Sequence, residues 1–139
     1  RKHGYLEALR ENRIPIDRNL VVCDKIDFDV ARNATLRLLE SENRPDAILA
    51  FNDIITYAAF DAIKAKGLRI PEDVAIIGFT DGDTAAFVTP CLSAIMDKAH
   101  EQGTKACELL MRSINGDEQI YKEVVPMILK IRESSEKQG

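Results

Sequence analysis

Two aspartates separated by one glycine, Asp81 and Asp83 around Gly82, are the residues of this sequence whose spacing suggests chemistry most directly. Two carboxylates this close together can hold a divalent metal ion or share acid–base work. The competing interpretation is a polar turn, because aspartate and glycine are common turn residues. No nucleophile, general base or phosphate-binding loop accompanies the pair, so a metal-dependent enzyme is the third of three hypotheses.

A second polar pair, Asn52 and Asp53, follows the apolar run at 47–51. Asp53 is well placed to cap the next helix, a role that stabilises a helix by about 1 kcal/mol. Asn52 can present its amide group to a ligand. The spacing alone supports a structural and a binding role equally.

The usual motifs of enzymatic chemistry are missing from the sequence, including G-x-G-x-x-G, the Walker A loop, G-x-S-x-G and H-E-x-x-H. His3 and His100 lie among polar residues and read as surface side chains. The three cysteines are widely spaced and fit neither a disulfide framework nor a metal site. Cys23 and Cys107 fall in apolar segments, where we expect buried thiols. We expect no metal, no cofactor and a reducing, cytoplasmic compartment.

The charge balance bears on possible partners. The 139 residues carry 19 basic and 23 acidic side chains, a formal charge of -4, and the basic residues are scattered among the acids. A nucleic-acid-binding domain usually carries a basic patch, so we do not expect this segment to bind DNA or RNA directly. No apolar run approaches the roughly 18–20 residues needed to cross a bilayer. Because the chain opens with Arg1 and not with Met, we expect it to be part of a longer protein.

Short apolar runs alternate with amphipathic segments along the chain. This alternation predicts βαβ units, and therefore an α/β fold with a parallel sheet flanked by helices on both faces. Ligands of such sheets bind outside the carboxyl ends of the strands. The predicted strands are 20–23, 47–51, 74–77, 92–96 and 124–131, and the predicted helices are 2–12, 27–42, 54–66 and 98–114.

Five motifs in a fixed order resemble one protein family. They are R-x-x-G-Y-x-x-A-L from Arg1, R-P-D-A-I-x-A-x-N-D ending at Asp53, G-L-R-I-P-E-D-V-A-I-I-G-F ending at Phe79, T-P-x-L-S from Thr89, and P-M-I-L-K-I-R-E-S-S from Pro126. Together they resemble the effector-binding domain of LacI/GalR-family bacterial transcription regulators over essentially the whole chain.

The resemblance implies a periplasmic binding protein-like fold of type I, built from two α/β subdomains, of which this chain is the C-terminal part. Residues 1–97 resemble the body of the C-terminal subdomain. Residues 98–121 resemble a helix that crosses back to the other subdomain, and residues 122–139 a returning strand and tail. The helix-turn-helix headpiece, which would contact DNA in such a regulator, is absent from the sequence.

The resemblance also implies effector-binding residues. Arg1 matches an arginine that holds hydroxyl or carboxylate groups, a role suited to its fixed fork of donors. Asn52 and Asp97 match polar residues of the pocket.

Two other parts of the implied pocket depart from the family pattern. Ile26, with Phe28 close by, falls where the family has an aromatic residue, so this wall is expected to be aliphatic. Thr80 replaces the usual aspartate after I-G-F, and Asp81 follows one place later. A threonine brings no charge, so the effector is expected to differ from that of relatives with the aspartate.

The leading hypothesis is a ligand sensor: a small metabolite, most simply a sugar, closes two subdomains and thereby controls operator binding. The resemblance places a homodimer contact on the helix at 54–66 and the segment at 87–92. The second hypothesis is a periplasmic sugar receptor that supplies a transporter. If the chain is part of a ligand sensor, we expect the chain alone to bind effector weakly or not at all, because it supplies only half of the pocket.

Overall fold

A computed structural model describes residues 1–80 and 83–136. The chain alternates helices and strands as the sequence predicts, and the α/β class is confirmed. None of the described helices is long and apolar enough to cross a membrane. The elements are α1 (Lys2–Glu11), α2 (Phe28–Glu40), β1 (Ala47–Ala50), α3 (Asp53–Ala65), β2 (Ala75–Phe79), β3 (Ser93–Met96), α4 (Ala99–Ile114) and β4 (Ile128–Lys130).

The four strands form one sheet in the order β1-β2-β3-β4. β1 pairs with β2 and β2 with β3 in parallel, whereas β4 pairs with β3 in the antiparallel direction. The predicted parallel sheet therefore holds for three strands. The carboxyl ends of those three strands lie at the same edge of the sheet, which is where the sequence predicts a ligand site.

The hydrophobic core lies between the sheet and the helices α2 and α3. Ile63 of α3, Ile76 of β2 and Leu92 before β3 are fully buried at its centre, and Leu39 of α2 joins them. Burying a side chain of this size contributes about 1.5–3 kcal/mol. This packing holds α2 and α3 against the sheet.

Single residues determine where α2 begins and where α3 ends. The Asp27 carboxylate caps α2 by accepting a hydrogen bond from the Val30 backbone N–H at 3.0 Å. After α3 the chain reverses at Gly67, whose φ of 68° favours glycine. Both positions confirm the predicted helix boundaries.

Gly78 lies inside β2, one residue before its end, whereas the predicted strand at 74–77 ended before it. A Cβ atom at this position would overlap the side chain of Thr56, which is fully buried on α3. The glycine therefore allows α3 to approach the sheet closely.

Ser134, which follows β4, joins the end of the described chain to the middle of the sheet. Its hydroxyl donates to the Ile76 carbonyl oxygen at 2.7 Å and accepts from the Ser93 backbone N–H at 2.8 Å. The side chain is fully buried. The R-E-S-S motif thus has a structural role in this lobe.

The predicted strand at 20–23 does not form. The chain makes a 3-10 turn at Arg18–Leu20 and continues without a strand partner among the described residues, and Val22 is 47% exposed. The predicted strand at 124–131 is shortened to Ile128–Lys130, and it lies at the edge of the sheet, where a nearby proline such as Pro126 is tolerated.

The expectation of buried thiols at Cys23 and Cys107 is wrong, because both are exposed. Cys23 lies in the segment that does not join the sheet. Cys107 lies on α4, which has no buried residues in the described part of the chain. An apolar neighbourhood in sequence indicates burial only where another element covers it.

The R-I-P-E-D-V part of the third motif contains an ion pair between Arg69 and Asp73. Two guanidinium nitrogens each lie 3.0 Å from a carboxylate oxygen, and the Arg69 backbone N–H donates to the same carboxylate at 2.8 Å. The hydrogen bonds from Arg69 lower the pKa of Asp73 to about 2. The motif therefore closes the turn between α3 and β2.

The lowered pKa of Asp73 predicts a pH dependence of folding. The unfolded carboxyl group titrates near 3.9, so its stabilising contribution is complete above that pH. It is lost as the pH falls toward 2, where the folded group becomes protonated. We expect Asp73→Asn to remove this component, measured as the difference in free energy of unfolding between pH 7 and pH 2.5. Glu72→Gln is the matched control, and an equal pH dependence in both variants would contradict the prediction.

Candidate functional site

A cleft of about 210 Å³ opens at the edge of the sheet where β1, β2 and β3 end. Its side chains come from the residue before α1, the start of α3, the end of β2 and the turn after β3. Four of the predicted effector-binding residues are brought together here, although their binding role stays a prediction. The cleft is lined by Arg1, Asn52, Asp53, Phe79, Thr80 and Asp97.

Arg1 is held by three groups at the mouth of the cleft. Its guanidinium donates a hydrogen bond to the Phe51 carbonyl oxygen. One guanidinium nitrogen lies 3.8 Å from Asp97 Oδ2, and the guanidinium carbon lies 4.2 Å from the centroid of the Phe79 ring. An arginine stacked on an aromatic face and paired with a carboxylate is fixed in direction, which suits it to position other groups.

Asn52, and not Asp53, is the capping residue of α3. Its Oδ1 accepts a hydrogen bond from the Ile55 backbone N–H at 2.9 Å, and its backbone is extended. The sequence interpretation of Asp53 as the cap is therefore wrong by one residue. The amide nitrogen of Asn52 can still donate to a ligand.

Two carboxylate oxygens in the cleft are buried without a hydrogen bond. Asp53 Oδ1 and Asp97 Oδ1 have no partner within residues 1–80 and 83–136. A buried acceptor without a donor is unfavourable. Other parts of these two aspartates line the cleft.

Thr80 follows β2 and is 4% exposed, with its backbone N–H donating to the Ile95 carbonyl oxygen at 3.3 Å. The neighbouring candidate Asp81 lies outside the described residues. Thr80 therefore supplies a neutral hydroxyl where the resemblance leads one to expect a carboxylate.

Ile26 and Phe28 are not among the residues that line this cleft. Their side chains are 56% and 42% exposed, at the entry to α2. The segment before α2 does not form a strand of the sheet. Ile26 and Phe28 are therefore not placed at a strand end beside the cleft. The predicted aliphatic wall at these residues has no counterpart in the described cleft.

Sequence reasoning missed Asp53 and Phe79 as lining residues. Phe79 is the last residue of β2 and adjoins Thr80, so its place at the strand end was a usable signal. The sequence could not show that Asp53 lines the cleft, because Asp53 and the neighbouring Asn52 can each cap a helix.

The described part of the chain contains no group of three or more histidine, cysteine, aspartate or glutamate side chains arranged to hold a metal ion. Asp83 begins a 3-10 turn at Asp83–Ala86.

Comparison with known proteins identifies the family. A family model described as "Periplasmic binding protein-like domain" matches residues 1–135. The chain is 33% identical over 132 residues to the HTH-type transcriptional repressor PurR of Vibrio atlanticus, covering 95% of this chain and 39% of the relative. It is 34% identical to the ribose operon repressor of Haemophilus influenzae, covering 90% of this chain and 38% of the relative. The chain thus spans about two fifths of these relatives.

Solved structures agree with this assignment. A regulatory protein of the LacI family from Chloroflexus aggregans is 36% identical with a TM-score of 0.86, over 96% of this chain and 48% of that one. The complex of the transcriptional regulator CelR with cellobiose is 30% identical with a TM-score of 0.85, over 95% of this chain and 41% of that one.

The relatives named here are transcriptional repressors or regulators and not enzymes, in line with the expectation from the sequence. The chain therefore belongs to the periplasmic binding protein-like domain family, as part of the effector-binding domain of a LacI-family transcriptional regulator.

Proposed function

We propose that the chain forms one wall of an effector-binding cleft and that a sugar binds between this wall and a second subdomain. The convergence of Arg1, Asn52, Thr80 and Asp97 at the strand ends carries the proposal. The names of two relatives support a sugar, since one is a ribose operon repressor and one structure holds cellobiose.

The exposed apolar face of α4 supports the proposed division of the chain. Leu110, Met111 and Ile114 are at least half exposed, and nothing on α4 is buried among the described residues. An amphipathic helix needs a partner for its apolar stripe. In the proposal, residues 1–97 form this subdomain, residues 98–121 pack on the other one, and residues 122–139 return to the sheet.

The proposed mechanism is allosteric. A ligand that contacts both subdomains favours the closed state by its difference in affinity for the two states. Closure then changes the spacing of two DNA-binding headpieces, which lie outside this chain. A regulator of this kind meets its operator in the cytoplasm, which is the compartment we propose.

We further propose a homodimer contact through α3 and the segment at 87–92. Most of the apolar side chains of α3 enter the core, but Ile54 remains 45% exposed and Phe87 is 82% exposed. Large apolar side chains this open are often covered by a partner. Sedimentation of the full-length gene product measures this contact, and a monomer at micromolar concentration would contradict it.

Calorimetric titration of the full-length gene product with ribose, cellobiose and lactose tests the proposed function. We expect micromolar binding of at least one sugar and release of operator DNA by the same sugar. Arg1→Lys keeps the charge but loses the fork of donors, so we expect roughly a tenfold loss of affinity, about 1.4 kcal/mol.

Arg10→Lys, on the exposed end of α1, is the matched control and should bind as the unaltered protein does. The 139-residue chain alone should show no micromolar binding. If none of the three sugars binds the full-length protein, the proposed sugar effector is wrong.

A further inference from the structure

We propose that this cleft selects a ligand without negative charge that donates hydrogen bonds, such as a neutral sugar or an amino sugar, and rejects sugar acids and sugar phosphates. This inference rests on the proposed function and adds the chemical class of the effector. It is carried by the two aspartates that line the cleft and by the engagement of the arginine beside them.

The first step concerns hydrogen-bond complementarity. Asp53 and Asp97 both line the cleft, and the Asp97 side chain is 36% exposed, with its Oδ2 toward Arg1. An ionised carboxylate only accepts hydrogen bonds, so a complementary ligand must bring donors. Hydroxyl and ammonium groups do this, whereas a ligand carboxylate or phosphate brings further acceptors.

The second step concerns Arg1, the natural partner for an anionic ligand. Its guanidinium already donates to the Phe51 carbonyl oxygen, faces Asp97 Oδ2 at 3.8 Å and stacks on Phe79. An anionic ligand would have to compete with Asp97 for this cation. Asp97 thus makes Arg1 a poor site for a second carboxylate.

The third step weighs the charges that line the cleft. Asp53 and Asp97 carry two negative charges and Arg1 carries one positive charge, so the described lining has a net charge of -1. The positive end of α3 would favour an anion. That end is already occupied, because Asp53 lies in its first turn and Asn52 Oδ1 takes the Ile55 N–H. The formal charge of the described lining therefore does not favour an anionic ligand.

The experiment compares matched pairs of probes on the full-length gene product by calorimetry. The probes are galactose with galacturonate, glucose with glucuronate and glucosamine, and ribose with ribose 5-phosphate. We expect the neutral or amino member of a binding pair to bind at least tenfold more tightly than its anionic counterpart. Asp97→Asn should reduce this discrimination at least fivefold, because it removes a negative charge and releases Arg1.

Asp61→Asn is the control, since Asp61 of α3 pairs with Arg32 of α2 and does not line the cleft. It should leave the discrimination unchanged. Thermal melting without ligand shows whether each variant is folded, and Asp53→Asn replaces Asp97→Asn if the latter is not. The comparison of neutral and anionic probes on the unaltered protein does not depend on whether any variant folds.

The outcomes separate the two proposals. An anionic probe that binds as tightly as its neutral counterpart, or more tightly, overturns this inference and leaves a sugar sensor in place. Discrimination that is unchanged in a folded Asp97→Asn variant also overturns it. If no probe binds, the proposed sugar effector itself fails.

Discussion

Replacing Gly78 with alanine is expected to destabilise this lobe by about 3 kcal/mol, the upper part of the range for overpacking a buried site. The new Cβ atom would overlap the Thr56 side chain. Thr56 cannot easily turn away, because its hydroxyl donates to the Asn52 carbonyl oxygen at 2.6 Å and the side chain is fully buried. Either α3 moves away from β2 or the Thr56 bond is broken.

The urea midpoint of unfolding measures this effect, and a second substitution shows its cause. Thr56→Gly removes the overlapping atoms, so the double variant should lose less free energy of unfolding than the sum of the two single changes. Gly103→Ala is the control: a Cβ there meets no atom within 4 Å, and alanine favours α4. Equal effects at positions 78 and 103 would contradict the steric explanation.

Ser134→Ala is expected to cost about 3 kcal/mol. The substitution leaves two buried backbone groups unpaired, the Ile76 carbonyl and the Ser93 N–H. Each unsatisfied buried group costs about 1–3 kcal/mol, and Ile76 and Ser93 are fully buried, so water does not replace the lost bonds. The loss should detach the segment after β4 from the sheet.

Hydrogen exchange at Ser93 and urea denaturation together test this prediction. Ser113→Ala, on an exposed position of α4, removes a hydroxyl of the same type and should change the stability by less than about 0.5 kcal/mol. If Ser134→Ala unfolds at the same urea concentration as Ser113→Ala, the bonds to Ile76 and Ser93 do not stabilise this lobe.

The local elements were predictable because their signals are local. The predicted helices at 54–66 and 98–114 differ by one residue at most from α3 and α4. The antiparallel direction of β4 and the missing strand at 20–23 depend on which distant segment each run pairs with. Periodicity contains no information on that pairing, because a strand exists only with its neighbour.

The candidate site was predictable where strand ends determine it. Asn52, Thr80 and Asp97 each follow a strand, and they meet as the fold rule predicts. Ile26 and Phe28 were carried over from the family, and they depend on a segment that the sheet does not hold. The engagement of Arg1 with the Phe51 carbonyl could not be predicted, since it joins residues 50 positions apart.

The contacts of Ser134 also set an order of events during synthesis. The sheet cannot be completed until β4 and Ser134 reach Ile76, which lies 58 residues earlier in the chain. The intervening loop must close at an entropic cost before that contact forms. At about 5–20 residues per second, the ribosome needs several seconds to produce these residues. From the synthesis of β3 until β4 is made, the edge of β3 that β4 later covers is unpaired, and an unpaired edge can pair with a strand of another chain.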